Sequence, residues 1–542
     1  MLLATAFLLP LALALSPPPQ TYVNTAIART VELGGATAQV TTQYNIKATA
    51  DEPGEYYLAL SGDGDEIPAW WEVAIGGKAV EGIRVLDDRP PTVSVPLGHL
   101  KNGDTTTLSL THVLTRMSKP LPAEIDQREA QYLLFTTNST YVDSWYPTDV
   151  ERVKYRAPHI ILSHTSVPDT YTRDSTVTKA GSSLTLGPFH SLPPTLNKHE
   201  FEQQPLSVHY ESKQPVIGIK TLKRSAEVSH WGANLNIQDE MSLVNIGTKL
   251  KGHFSRLAHQ QSRFHASTPP QVLTELPLRI PATAHSAYYY DTVGNVSTSH
   301  FRSGSILTQK AKTSKARTSP RTVDGLLELR PRYPLLGGWN YSFVVGYDMP
   351  LEDVLKSDQA NGKNVLAVPF MTGIKDVVVD DVELKIILPE GAKDVEVYTP
   401  FSVDSIEHSL HKTYLDTTGR YAVTLRKARC TENHAKTVYV GHIFLSLLGF
   451  DAKATDCGVR GRGSLLVGYG IEKIDTLGVI ESMTLAVNPF PSTAQNLPMS
   501  AVLDPQTFND RWPLDAVFQY LAPAVQLADA YDISEFIGYM GI

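Results

Sequence analysis

The sequence predicts a mainly β fold, a β-rich α+β chain of two tandem antiparallel sheet or sandwich modules followed by an atypical C-terminal tail. Three observations predict it. Polar and apolar residues alternate with a period of two over many short stretches, Gly and Pro each number 36 among 542 residues, and one order of cues recurs in both halves. With 42% hydrophobic residues the chain can bury sizeable cores, and its length is that of more than one domain.

The elements follow in order. Ile27 to Leu33 and Ala38 to Tyr44 alternate around Gly34-Gly35, the period of a half-buried strand and the punctuation of a hairpin. Tyr56 to Leu60, Trp71 to Ile75, Thr92 to Val95 and Thr105 to Val113 continue the pattern, with turns at Gly62-Asp63-Gly64-Asp65 and Asn102-Gly103-Asp104. A second cycle begins near Ala226: Glu227 to Val244 alternates, and Tyr341 to Val345, Val382 to Leu388 and Ala422 to Leu425 follow. Val153 to Leu162, ahead of Val167-Pro168-Asp169, has its counterpart in Val382 to Leu388, ahead of Pro389-Glu390-Gly391. This order reads as a duplication of one β-rich unit, joined near Lys213 to Arg224. The expected division is residues 1–16 as a signal peptide, 22–224 and 225–440 as two β-rich modules, and 441–542 as a divergent tail.

Leu2 to Leu15 is almost unbroken apolar sequence, stopped by Ser16 and Pro17-Pro18-Pro19, with Ala12-Leu13-Ala14 as a small-x-small cleavage pattern. Such a run is shorter than the roughly 20 residues of a membrane span and reads as a signal peptide. In a secreted or luminal chain, Asn138-Ser139-Thr140, Asn295-Val296-Ser297 and Asn340-Tyr341-Ser342 become N-glycosylation acceptors. Asn138, Asn295 and Asn340 are the candidate modification sites.

The 48 basic and 56 acidic residues leave a formal charge of -8, which argues against a grip on nucleic acid. Gln309 to Arg317 is polar and basic with almost nothing to bury, the composition of a solvated loop. Two cysteines, Cys430 and Cys457, are too few for a disulfide framework or a four-ligand zinc site.

His199-Glu200-Phe201-Glu202-Gln203 has Gln where a helical zinc site needs a second His, and Pro205 follows closely. His253, His259 and His265 recur every six residues, a spacing that does not share a helical face. Asp63 to Glu66 resembles the opening of a calcium loop without its glycine and distal glutamate. Asp380-Asp381 would serve acid/base chemistry only inside a cleft. No nucleophile elbow, phosphate-cradling loop or Cys-x-x-Cys is present, so no catalytic residue, cofactor site or metal site is assigned.

Six strings carry a resemblance: Glu227 to Gly232, Leu250 to Arg256, Gly294 to His300, Arg330 to Trp339, Lys385 to Lys393 and Thr413 to Arg420. Together they resemble the ribophorin I family, a subunit of the endoplasmic-reticulum oligosaccharyltransferase. The resemblance covers about Tyr22 to Val440. It implies a non-catalytic subunit of the complex that moves a preassembled glycan from dolichyl pyrophosphate to the Asn of Asn-x-Ser/Thr in nascent chains. Implied partners are the other subunits, the catalytic one included, with the translocon and nascent polypeptide, on the luminal side of the endoplasmic-reticulum membrane.

Two stretches depart from the family pattern. Gly304 to Arg321 is longer than expected, and residues 441–542 lack the single membrane-spanning helix that the family implies after about Val440. The expected origin of that tail is intron or out-of-frame sequence, with an unanchored isoform as the alternative. Trp231, Trp339 and Gly337-Gly338 suit a β core and its tight turns; loops around His230 and Arg330 to Arg332 are the candidate contacts for neighbouring subunits or nascent chain. A secreted or luminal carbohydrate-binding protein and a luminal hydrolase are the competing readings.

Overall fold

The computed structural model describes residues 18–444, apart from 61–66, 81, 87–90, 168–170, 173–176, 198–200, 230–232, 265–268, 270, 308–320, 359–362 and 415–417. Its opening hairpin, Tyr22–Leu33 with Thr37–Ala48, extends beyond the predicted Ile27 to Leu33 and Ala38 to Tyr44 with the alternation kept: Ala38, Val40, Thr42, Tyr44, Ile46 and Ala48 all point into the core. The hairpin lies at the centre of an eight-stranded sheet. On one side follow Thr105–Thr115, Trp70–Ile75 and Lys78–Ala79; on the other follow Thr148–Arg156, Ser183–Leu192 and Val177–Ala180.

The second half repeats this order. Ile217–Ser229 and Asn234–Asn245 form the central hairpin, flanked by Asn340–Pro350, His285–Asp291 and Gly294–Asn295 on one side. Val378–Ile387, Arg420–Cys430 and Ser405–His411 complete the other. The smaller sheets match too. Glu55–Ala59, Thr92–Pro96 and Arg84–Leu86 correspond to Leu276–Ile280, Gly325–Leu329 and His300–Arg302. A four-stranded sheet of Ile161–His164, Leu206–Glu211, Tyr132–Thr137 and Ser118–Pro120 corresponds to Ala392–Tyr398, Thr437–Phe444, Lys363–Pro369 and Leu355–Asp358. Three sheets with one shared strand order make the halves topological copies, as the recurring cues predicted.

The correspondence extends to irregularities. Each opening strand carries a bulge, between Asn24 and Ala26 and between Ile219 and Thr221. Each module closes the same turn, where Gly103 N donates to Ala48 O and Gly338 N donates to Asn245 O, with φ of 91° and 82° at the two glycines. Positive φ there is open to Gly at little steric cost.

One expectation needs correction. The large sheets are not wholly antiparallel, because Tyr22–Leu33 pairs in parallel with Thr148–Arg156, and Ile217–Ser229 with Val378–Ile387. A parallel pair needs a long crossover, and here the intervening small sheets supply it. Alternation marks which face of a strand is buried and carries no information about its partner's direction.

Each module has its own core, drawn from all three of its sheets. The changeover falls between Val216, in the first core, and Ile217, in the second, at the start of the strand that runs through residues 224 and 225. The modules are tightly joined. Val378 of the second packs into the first core, Glu124–Ile125 pairs in parallel with Lys249–Leu250, and Thr248 N donates to Gln131 Oε1 at 3.0 Å. At the seam, Trp70 meets Phe401 and His434 at 6.2 and 5.0 Å between ring centroids, with Lys436 Nζ 4.3 Å from the Trp70 ring.

The long Gly304 to Arg321 stretch begins and ends in a two-stranded ladder, Ser305–Leu307 against Arg321–Val323. The basic loop expected between them, the signal peptide, His199-Glu200, Asp63 to Glu66, His230 to Gly232, His265, Cys457 and the tail from residue 445 lie outside the described residues. Among the described residues no helix is long and apolar enough to cross a membrane.

Candidate binding surface

Three of the recognised strings, separate in sequence, meet beside the seam between modules. The first is anchored by the Glu124–Ile125 pairing, in which Lys249 N donates to Ala123 O and Lys251 N to Ile125 O. The next residues lead into the helix Arg256–Phe264, where Ser255 Oγ accepts from Ala258 N at 3.3 Å as a side-chain cap. Ser255 N donates to Gln127 Oε1 and Gln127 Nε2 returns a bond to Ser255 O, so the first module clasps the helix start.

The Arg330 to Trp339 string closes onto this strip. A Cβ on Gly337 would stand 1.9 Å from Thr248 O, so only glycine permits the approach. Asn245 fastens both segments: its Nδ2 donates to Gln271 O and Leu335 O, and its Oδ1 accepts from Gly247 N. The buried Gln131 of the first module accepts from Thr248 N at 3.0 Å.

Against this frame stands an aromatic row. Ring centroids of His259 and Phe254 are 5.8 Å apart, Phe254 and Trp339 5.6 Å, Trp339 and Tyr333 6.1 Å, and Tyr333 and Tyr341 5.4 Å. Two adjoining depressions open to solvent along it. One, of about 460 Å³, is lined by Lys249, Leu250, His253, Phe254 and Trp339, among others. The other, of about 360 Å³, is lined by Tyr333, Gly338, Trp339 and Asn340. Trp339 both packs on the second core and walls both depressions.

The third string is tied in through Arg332. Its guanidinium donates to Asp291, and its Nη2 to Gly294 O and Asn295 O at 3.1 Å each. Asp291 also accepts from Tyr341 Oη, Val293 N and Gly294 N, and Tyr341 Oη lies 2.7 Å from Tyr289 Oη. The Arg332 hydrogen bond, opposed by burial, holds the Asp291 carboxyl down at about 2. Burial and the neighbouring Tyr289 and Asp291 push the Tyr341 phenol well above its ordinary range.

Arg332 thus braces the buried Asp291 while about a third of its own side chain stays in solvent (36%), and Arg330 is more exposed, 3.7 Å from Glu275. The three sequon asparagines are all exposed. Asn138 follows the strand Tyr132–Thr137, and the Thr140 hydroxyl of its sequon is buried, donating to Gln204 O. Asn295 and Asn340 lie near one another in the fold, since neighbouring residues Arg332 and Tyr333 donate to their backbone oxygens.

Other sequence candidates disperse. Asp380 forms a half-exposed ion pair with Arg116 across the seam at 2.5 Å. Gln203 donates to Tyr141 O and Asp143 as a structural link, and Cys430 is buried with its thiol pushed up to about 12 by burial. His253 lines the first depression, and His259 joins the row through its local ring contact with Phe254. Among the described residues no group of three or more His, Cys, Asp or Glu could hold a metal. The helix Arg256–Phe264 was not foreseen; the Ser255 cap was its available signal.

Duplicated β modules, clasped together and carrying an aromatic surface beside their seam, are the architecture into which the family strings fold. A family model described as Ribophorin I matches residues 22–449, and the chain belongs to that family. Dolichyl-diphosphooligosaccharide–protein glycosyltransferase subunit 1 of Caenorhabditis elegans is 30% identical over 427 residues, 77% of this chain and 67% of that protein. Subunit 1A of Arabidopsis thaliana is 32% identical over 351 residues, 64% of this chain and 51% of that one. Native yeast LTA4 hydrolase gives a TM-score of 0.24 at 10% identity, over 38% of this chain and 31% of that one, a likeness too low to carry an argument.

Proposed function

We propose that the chain is a non-catalytic subunit of the oligosaccharyltransferase complex, which moves a preassembled glycan from dolichyl pyrophosphate to Asn of Asn-x-Ser/Thr. It acts there as a scaffold or substrate-presenting module. Family membership supplies the complex. The observation that carries the non-catalytic role is the surface itself, where three family strings converge on aromatic rings and backbone, with Asp291 and Arg332 locked on each other as a brace. A scaffold of this kind raises the effective concentration of substrate near the active subunit without performing the chemistry.

Its partners are the other subunits, the catalytic one among them, with the translocon and nascent polypeptide as neighbours. Its place is the luminal side of the endoplasmic-reticulum membrane, with the join between the two modules within Lys213 to Arg224. Aromatic rings at the surface, half-buried in Phe254 and Trp339 and exposed in Tyr333, beside polar groups also favour a second reading, a carbohydrate-binding module.

The test is transfer of a lipid-linked oligosaccharide to an Asn-x-Thr peptide. The purified full chain alone gives no glycopeptide, while the complex isolated with it does. Glycopeptide formed by the chain alone contradicts the non-catalytic role.

A further inference from the structure

We propose that Asn340 is itself glycosylated and that the first sugar rings of its glycan lie in the depression walled by Tyr333 and Trp339. The inference rests on the luminal reading above and goes beyond it. Strand Asn340–Pro350 opens with Asn340 exposed, Tyr341 buried and Ser342 exposed. Alternation thus sets the acceptor amide and the sequon hydroxyl on one outward face. The depression beside it is lined by Tyr333, Gly338, Trp339 and Asn340, so a sugar joined to Asn340 begins inside it.

The walls suit that ligand. Trp339 and Tyr333 rings stand 6.1 Å apart at 62°, edge to face, and both line the depression with aromatic carbon on which the C–H face of a sugar ring can pack. The volume, about 360 Å³, is at the small end of ligand pockets, which run from about 300 to 1,000 Å³. It admits the first rings of a glycan and leaves the rest in solvent. Covalent tethering removes most of the association cost, so a shallow surface suffices; effective concentrations for short tethers are on the order of mM.

The floor is preformed. Tyr333 Oη donates to Asn340 O at 2.7 Å, and Gly338 N donates to Asn245 O, so the turn keeps its shape without the sugar. The modification joins the Asn340 side-chain nitrogen to the anomeric carbon of an oligosaccharide carried on a polyprenyl diphosphate. The carbon–oxygen bond to diphosphate breaks, the polyprenyl diphosphate leaves with that electron pair, and the amide nitrogen gives up one proton.

The test uses the full chain expressed in glycosylation-competent cells. Enzymatic deglycosylation in ¹⁸O water, followed by peptide mass spectrometry, marks each occupied asparagine. The expected result is a mark at Asn340 that Ser342→Ala abolishes while marks at the other sequons persist. Marks at Asn138 or Asn295 without one at Asn340 overturn the proposal and leave the luminal reading standing; no mark anywhere overturns both.

Packing is read from endoglycosidase release of the Asn340 glycan under native conditions. Release is expected roughly tenfold slower than from the denatured chain, and Trp339→Ala and Tyr333→Ala are each expected to remove most of that protection, in variants whose cooperative unfolding shows they are folded. A tenfold change corresponds to about 1.4 kcal/mol. Equal release from native and denatured chain, or protection unchanged in both folded variants, overturns the packing.

Discussion

Arg29 and Arg224 occupy the same position in the two modules, three residues beyond the bulge of each opening strand, and both are buried. Their cross-strand partners are Thr42 and Asp239. Arg224 is fully satisfied in its environment, bidentate to Asp239 at 2.6 Å twice, with bonds to Pro369 O and Thr372. Arg29 has no such carboxylate opposite. Its Nε and Nη1, both nitrogens of His112, and Glu151 Oε2 lack hydrogen-bond partners among the described residues. One duplicated position has thus become a closed ion pair in one module and a loosely satisfied polar cluster in the other.

Removing the carboxylate from the closed pair should leave a buried guanidinium uncompensated. Asp239→Ala is expected to lower stability by about 3–5 kcal/mol, measured as a shift in the urea midpoint. A shift below about 1 kcal/mol would mean that the pair adds little.

The half-exposed Arg116–Asp380 bridge provides the contrast. Arg116→Ala is expected to change stability by about 1 kcal/mol or less, because water screens such pairs. A loss as large as that of Asp239→Ala in the same urea experiment would give the seam bridge an unexpected share of the stability.

The open cluster makes stability depend on pH in two directions. Burial, opposed by the Val142 N hydrogen bond and the Arg29 charge, raises the Glu151 carboxyl from 4.5 to about 8. Burial, helped by the Arg29 charge, lowers His112 from 6.5 to about 3. A raised pKa contributes stability that is present below 4.5 and lost as pH rises through 8; a lowered one contributes stability that is present above 6.5 and lost as pH falls through 3. Between about 6.5 and 8 the Glu151 effect acts without the His112 effect, so stability should fall with pH by up to about 1.4 kcal/mol per unit. Glu151→Gln is expected to flatten that slope in thermal unfolding across the window, while an unchanged slope would place the proton elsewhere.

Gly337 tests the aromatic surface. Because a Cβ would stand 1.9 Å from Thr248 O, Gly337→Ala is expected to push the Trp339 turn off the Lys249 strip. The expected signs are a stability loss of roughly 1–3 kcal/mol and a changed Trp fluorescence; unchanged emission and midpoint would show that the turn adapts.

Much of the fold was legible because half-buried strands write their burial into a period of two. Thr37–Ala48 and Asn234–Asn245 illustrate this, as does the recurrence of cues that the two sheets explain. The parallel pairs were not legible, since alternation does not record strand direction. Nor was the shared origin of Arg29 and Arg224, because their partners diverged to Thr42 and Asp239. The surface was half legible: the strings Leu250 to Arg256 and Arg330 to Trp339 stood out, but only the fold places Phe254 against Trp339. His253 and His259 read as scattered because a six-residue spacing places them on no shared helical face.

Isolation of the tagged full chain from detergent-solubilised microsomes tests whether it is a member of the complex. Stoichiometric recovery of the catalytic subunit is expected, with oligosaccharide-transfer activity in the same fraction. Recovery of the chain alone, or free in the medium, would contradict it.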